Sequence, residues 1–182
     1  MDNPVFQAAL AFTLQHEGGY VIHPLDPGGE TNCGISKRSY PNLDIKNLAT
    51  SDIARIYYRD FWKGPRFNRV SNHALATKVF DLGVLVSPRR AAKFLQRAVN
   101  IVSQNIPAQR KNSWRQKIAR VLNNKPLLVD GIIGPITLEV IALCPYPDAI
   151  LAAMKAEACD HFIVQNKPTF LPGWLERLEG DA

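Results

Sequence analysis

Two carboxyl groups and a hydroxyl lie close together near the start of this chain. Glu17 stands in Glu17-Gly18-Gly19-Tyr20, and Asp26 and Thr31 bound the run Asp26-Pro27-Gly28-Gly29-Glu30-Thr31. Glycosidic bond cleavage needs such a set: one carboxyl that keeps its proton, and one ionised group that handles water or the sugar cation. Glu17 falls at the C-terminal end of a predicted helix, where the negative end of the macrodipole disfavours a charged carboxylate. The two glycines leave room for a ligand, and burial near Tyr20 would add desolvation, so the sequence predicts a raised Glu17 pKa, as a general acid requires. Asp26 lies in a Pro/Gly turn expected to stay solvated and ionised, and Thr31 offers a hydroxyl to orient water. Glu30 competes with Asp26 as the second carboxylate, and Tyr20, next to the acid, is a candidate wall of a substrate cleft. The same residues also fit a plain helix end followed by a turn.

The elements that must hold these groups are readable. Asn3 caps and Pro4 opens a first helix that ends near His16 or Glu17 at the glycine pair. Tyr20-Val21-Ile22 is β-prone, a dense turn signal follows, and Thr31 to Ile35 returns as a second strand, giving a small β-hairpin. Beyond it the pattern is helical: a stripe of Ile53, Ile56, Tyr57 and Phe61, another of Leu75, Val79, Leu82 and Val86, then helices opening at Ser87-Pro88, Ser113, Gly134-Pro135 and Pro147-Asp148. The fold class is mainly α, with a small hairpin after the first helix.

At 182 residues, 46% hydrophobic and 21% charged, the chain has the size and composition of one globular domain or a small domain with an appended module. Intrinsic disorder and a disulfide-dense miniprotein are excluded by this composition. No run approaches the roughly 20 apolar residues that span a bilayer. The opening Met1-Asp2-Asn3-Pro4 is unlike a signal peptide, so synthesis in the cytoplasm is expected. Cys33, Cys144 and Cys159 are odd in number and widely spaced, and read as free thiols.

The formal net charge of +6 is uneven. Ten of the 22 basic residues, from Arg89 to Lys125, lie between Asp81 and Asp130, an interval without a single acid. Such a block fits either an anionic partner or a solvated helical surface. Nucleic acid is not expected, since no zinc-finger or RNP-type motif accompanies the charge. His16-Glu17-Gly18-Gly19-Tyr20 lacks the second histidine of a zinc helix, and the glycines would break that helix, so no metal is expected, nor any organic cofactor.

The string from Glu17 to Tyr20 with Asp26-Pro27-Gly28-Gly29-Glu30-Thr31-Asn32-Cys33-Gly34-Ile35-Ser36 resembles the signature of glycoside hydrolase family 108, the phage endolysins and secretion-linked N-acetylmuramidases. The resemblance extends through Asp60-Phe61-Trp62 and Val79-Phe80-Asp81. It implies a lysozyme-like helical fold acting on bacterial peptidoglycan, with Glu17 as catalytic acid. Asp26 and Thr31 take water-positioning roles by analogy with T4-type phage lysozymes. Inversion would then require carboxyl groups roughly 6.5–9.5 Å apart, and a gap near 5 Å would mean retention. Where the family commonly carries an aromatic, this chain has Cys33. A second block, Phe94-Leu95-Gln96-Arg97-Ala98 with Val129-Asp130-Gly131-Ile132-Ile133-Gly134-Pro135, is similar to a helical peptidoglycan-binding module. The expected division is a catalytic part over 1–88 and a wall-binding part over 89–182, packed into one globule. The basic segment 89–125 would hold anionic wall or outer-membrane polymers, reached through a holin or a dedicated export route. The rival reading is a non-catalytic basic module that binds cell wall or nucleic acid.

Overall fold

The computed structural model describes residues 3–22, 29–105 and 113–180. Helix α1 covers Pro4–His16; the Asn3 side chain accepts the Phe6 amide at its start, and Glu17 leaves the helix in extended conformation. Strands β1 (Val21–Ile22), β2 (Glu30–Asn32) and β3 (Ile35–Ser36) form a three-stranded antiparallel sheet in the order β1-β2-β3. The single return strand expected over Thr31–Ile35 is thus two strands. Cys33 and Gly34 turn between them with φ of 46° and 73°. Two successive positive φ values make the type I′ geometry that matches strand twist, and glycine is the residue that adopts it cheaply.

Helices α2 (Thr50–Ile56), α3 (His73–Leu85), α4 (Pro88–Asn105), α5 (Ser113–Val121), α6 (Pro135–Leu143), α7 (Pro147–Val164) and α8 (Leu171–Glu179) follow. Ala49, with no side-chain bond, occupies the cap of α2, where Thr50 or Ser51 was expected. After α2 the chain widens to π-helical winding over Tyr57–Lys63, so the apolar stripe read as one α-helix changes pitch midway. Tyr57, Trp62 and Phe80 pack with Phe6 in an aromatic cluster beneath α1. Among the described residues, no helix is long and apolar enough to cross a membrane. All three cysteines are unbridged.

α3 is the middle helix, packed against α1, α4 and α7. The Phe94–Ala98 and Val129–Pro135 motifs meet around Gln96, which is fully buried. Its side chain accepts the Gly131 amide at 2.8 Å and donates to Asp130 Oδ1 at 2.8 Å and the Ile132 carbonyl at 3.1 Å. Gly131 has φ of +80°, and a Cβ there would lie 2.6 Å from the Arg89 carbonyl. Both features fasten the loop before α6 onto α4.

The α4–α7 contact carries a pH-sensitive pair. Arg90 reaches His161 Nε2 at 2.7 Å, and the Gln165 amide lies at the same distance from that atom. Two donors on one nitrogen require it to accept, so the packing favours neutral imidazole. Burial, then Arg90 and Arg97, lower the His161 pKa from its ordinary 6.5. The unfolded chain therefore takes up a proton first as pH falls, and the stability from this contact is present above about pH 6.5 and lost through the lower folded pKa. Urea midpoints are expected to drop on acidification below that pH, and His161→Gln to flatten the drop.

Candidate active site

Glu17 sits where α1 ends, under the tip of the β2–β3 hairpin. A Cβ at Gly34 would lie 2.8 Å from Glu17 Oε2 and 2.9 Å from the Tyr57 hydroxyl. The carboxyl oxygen and the phenol therefore converge on the gap left by a missing side chain. The Tyr57 hydroxyl donates to the Cys33 carbonyl at 2.8 Å, tying the hairpin tip to the π-helical segment. Burial, then the nearby Glu17, push the Tyr57 hydroxyl well above its ordinary pKa and raise the Cys33 thiol, so both stay protonated. Gly18 and Gly19 have open space around them, as the sequence implied. Gly34→Ala is expected to cost about 1–2 kcal/mol for a side chain in left-handed backbone and to push the Glu17 carboxyl aside. Thermal unfolding measures the first effect, and hydrolytic rate the second.

The partner of Glu17 comes from the other end of the chain. Arg177 on α8 donates from one terminal nitrogen to Glu17 Oε1 at 2.9 Å. Its Nε donates to Asp81 Oδ1 at 2.9 Å, and its second terminal nitrogen lies 2.8 Å from the same oxygen. Thr13 also donates to that oxygen, at 3.0 Å. Asp81 is 0% exposed and Arg177 4%. Burial alone would lower the Arg177 pKa, but Asp81 and Glu17 together raise it, so the guanidinium remains a cation. Lys78, also buried, donates to the Arg177 carbonyl at 3.1 Å and to the Gly180 carbonyl, closing the C-terminal end of α8 with a cation. One face of α3 thus fixes both the register of α8 and the direction of its arginine.

Sequence reasoning assigned no helix after α7 and so missed Arg177. The signal was present: Leu171, Trp174, Leu175 and Leu178 keep helical spacing, and Asp81 is an acid in an otherwise apolar stripe. Pro172 and Gly173 look like helix breakers, but in the first turn they interrupt no helical hydrogen bond.

The other candidates divide. Tyr20 and Glu30 are brought together, the phenol donating to Glu30 Oε2 at 3.0 Å. Lys37 stands 4.0 Å from the other Glu30 oxygen. Thr31 is half-buried in β2, paired with Val21 and Ser36. Strand alternation puts it on the opposite face of the sheet from Glu30. Among the described residues the hydrogen-bond partner of Glu17 is Arg177, and neither Tyr20 nor Thr31 bonds to it. Asp26 lies outside the described residues. Trp62 is core, 1% exposed. Among the described residues no group of three or more metal-ligating side chains gathers.

Residues 10–86 match the family model described as Glycosyl hydrolase 108. That span contains Glu17, Gly34, Tyr57 and Asp81, while Arg177 lies outside it. No curated protein matches the chain. Among solved structures, that of Brucella abortus SagA superposes with a TM-score of 0.69 over 96% of this chain and 89% of that one, at 23% identity. At that identity the likeness is one of fold.

Proposed function

We propose, taking the match of residues 10–86 to glycosyl hydrolase 108 as the premise, that this chain is a lysozyme-type peptidoglycan hydrolase. Its specific activity is that of an N-acetylmuramidase, cleaving the β-1,4 bond from N-acetylmuramic acid to N-acetylglucosamine. The observation that carries the reading is the Glu17 carboxyl itself, gripped at Oε1 by a buried cation and facing the Gly34 gap with Oε2.

Glu17 is the general acid. A carboxyl protonated on Oε2 still accepts the Arg177 N–H at Oε1, so the arginine orients the acid before reaction. The proton passes from Oε2 to the glycosidic oxygen as the bond to muramic C1 breaks. The carboxylate left behind is then stabilised by a cation already in place, which favours the transition state over the ground state. Water completes the reaction at C1, with Asp26 and Thr31 in the water-positioning roles and Glu30 the alternative carboxylate. The basic segment 89–125 holds the protein on anionic wall or outer-membrane polymers. The biological setting is phage or prophage lysis, or secretion through the wall.

The test is digestion of purified peptidoglycan by wild type and by Glu17→Gln, followed by mass spectrometry of the new reducing ends. Muramic-acid ends from wild type and none from the folded variant are expected. Glucosamine ends would correct the bond. Release by neither protein, with wall still bound, would favour a binding module.

A further inference from the structure

A cavity of about 590 Å³ opens beside the sheet, between the segment after β3 and helix α2. It does not lie over Glu17, but it is joined to the candidate site by a chain of contacts. Tyr20 bonds Glu30, Lys37 stands against Glu30, and the Lys37 ammonium donates at 2.6 Å to the carbonyl of Leu43, a residue of the cavity wall. Asp44, next along that wall, is near enough to Tyr20 to help raise its hydroxyl pKa, after burial and Glu30.

The wall is built in two characters. Leu43 and Ile56 are among its apolar wall residues, and the wall also carries charge of both signs: Asp44, Asp52, Arg55 and Arg59. These charges are not equally available. Arg59 is held by Asp60 through two bonds of 2.6 Å, and Asp60 also accepts the Tyr40 hydroxyl at 2.7 Å. Arg59 is thereby fixed in place. Arg55 and Asp52 instead face each other at 3.3 Å with side chains 68% and 41% exposed. An exposed pair of this kind contributes little, so exchanging partners for a ligand costs little. Asp44 accepts from Asn47 within its own turn, which lowers its pKa and keeps it ionised.

We propose that this cavity binds the peptide stem of peptidoglycan, with Leu43 and Ile56 packing the aliphatic part of a diamino-acid side chain, Asp44 and Asp52 meeting its terminal ammonium, and Arg55 its carboxylate. This rests on the muramidase reading, because the stem leaves the glycan at the muramic acid whose bond is cleaved. A glycan strand lying along Glu17 and Glu30 projects its stem sideways, and the Lys37–Leu43 contact marks the route to the cavity. The site thereby distinguishes peptide-bearing wall from bare sugar polymer.

The experiment compares two substrates: glycan strands carrying diaminopimelate-type stems, and the same strands after an amidase has removed them. Wild type is expected to show the lower KM on stem-bearing strands. Arg55→Gln and Asp44→Asn, both conservative and both outside the catalytic set, should each raise that KM by about tenfold, the factor that 1.4 kcal/mol of binding corresponds to. Their kcat, and their KM on bare strands, should stay at the wild-type values. Equal KM on both substrates for wild type, or variants that weaken both alike, would overturn the proposal. If wild type cuts neither substrate, the muramidase reading fails and the cavity is still decided by titrating free stem peptide calorimetrically. Saturable binding that Arg55→Gln weakens about tenfold would support it, and no binding to wild type would overturn it.

Discussion

Arg177→Met is expected to lower stability by about 3–5 kcal/mol, the usual cost of removing one partner from a buried ion pair. The reason lies with Asp81 more than with the arginine. Asp81 is 0% exposed, and among the described residues the Thr13 hydroxyl is the donor left to its charge once Arg177 is gone. A buried carboxylate without its cation is far costlier than the lost attraction. The double variant Asp81→Leu/Arg177→Met removes both charges and should recover much of that loss, since a buried pair replaced by packed apolar groups is often near neutral. Its hydrolytic activity should stay low, because Glu17 would still lack its donor. Urea unfolding of wild type and these two variants, with rates measured beside it, separates the two effects. A single variant that loses less than about 1 kcal/mol would show that water had replaced the pair.

Glu17→Gln is the second large effect, and it falls on rate rather than stability. A positioned general acid accelerates by roughly 10²–10⁴-fold, so kcat should fall by that range. Glutamine keeps the shape, and its carbonyl oxygen can still accept from Arg177, so the melting temperature should hold. Activity within about tenfold of wild type would remove the acid role from Glu17, since that is under 1.4 kcal/mol of barrier. Glu30→Gln tests the alternative carboxylate, and a kcat loss as large as that of Glu17→Gln would give Glu30 the second catalytic role. Glu30 is already bonded to Tyr20 and faces Lys37, and its replacement should act mainly on substrate binding.

What the sequence made legible was local. Asn3, Pro4 and the Gly18-Gly19 pair bound α1 closely, because caps, proline and glycine act within a turn of where they stand. The same holds for Pro88, Pro135 and Pro147, each of which opens a helix as expected. The Cys33-Gly34 turn was not read, since a return strand of five residues hid two short strands and their tip. The π-helical winding after Ile56 was not legible either, because the helical spacing of Ile53, Ile56, Tyr57 and Phe61 does not reveal a local change to i→i+5 bonding. The partner of Glu17 lay further out of reach. Residues 17 and 177 bond directly, and no periodicity in a window of a dozen residues can relate positions 160 apart.

That separation also sets an order of assembly. α1, the sheet and the π-helical segment are neighbours in the chain and form through short loops, whereas α8 must close nearly the whole chain upon them. Contacts of high sequence separation form late, because their loop entropy is lost before they repay it. A protein still emerging from synthesis can therefore shape the pocket of Glu17 while the arginine that grips it has not yet been made. The site comes into register only when the last helix docks, so a truncated or frayed chain would carry the whole of the 10–86 span and its carboxyl unheld.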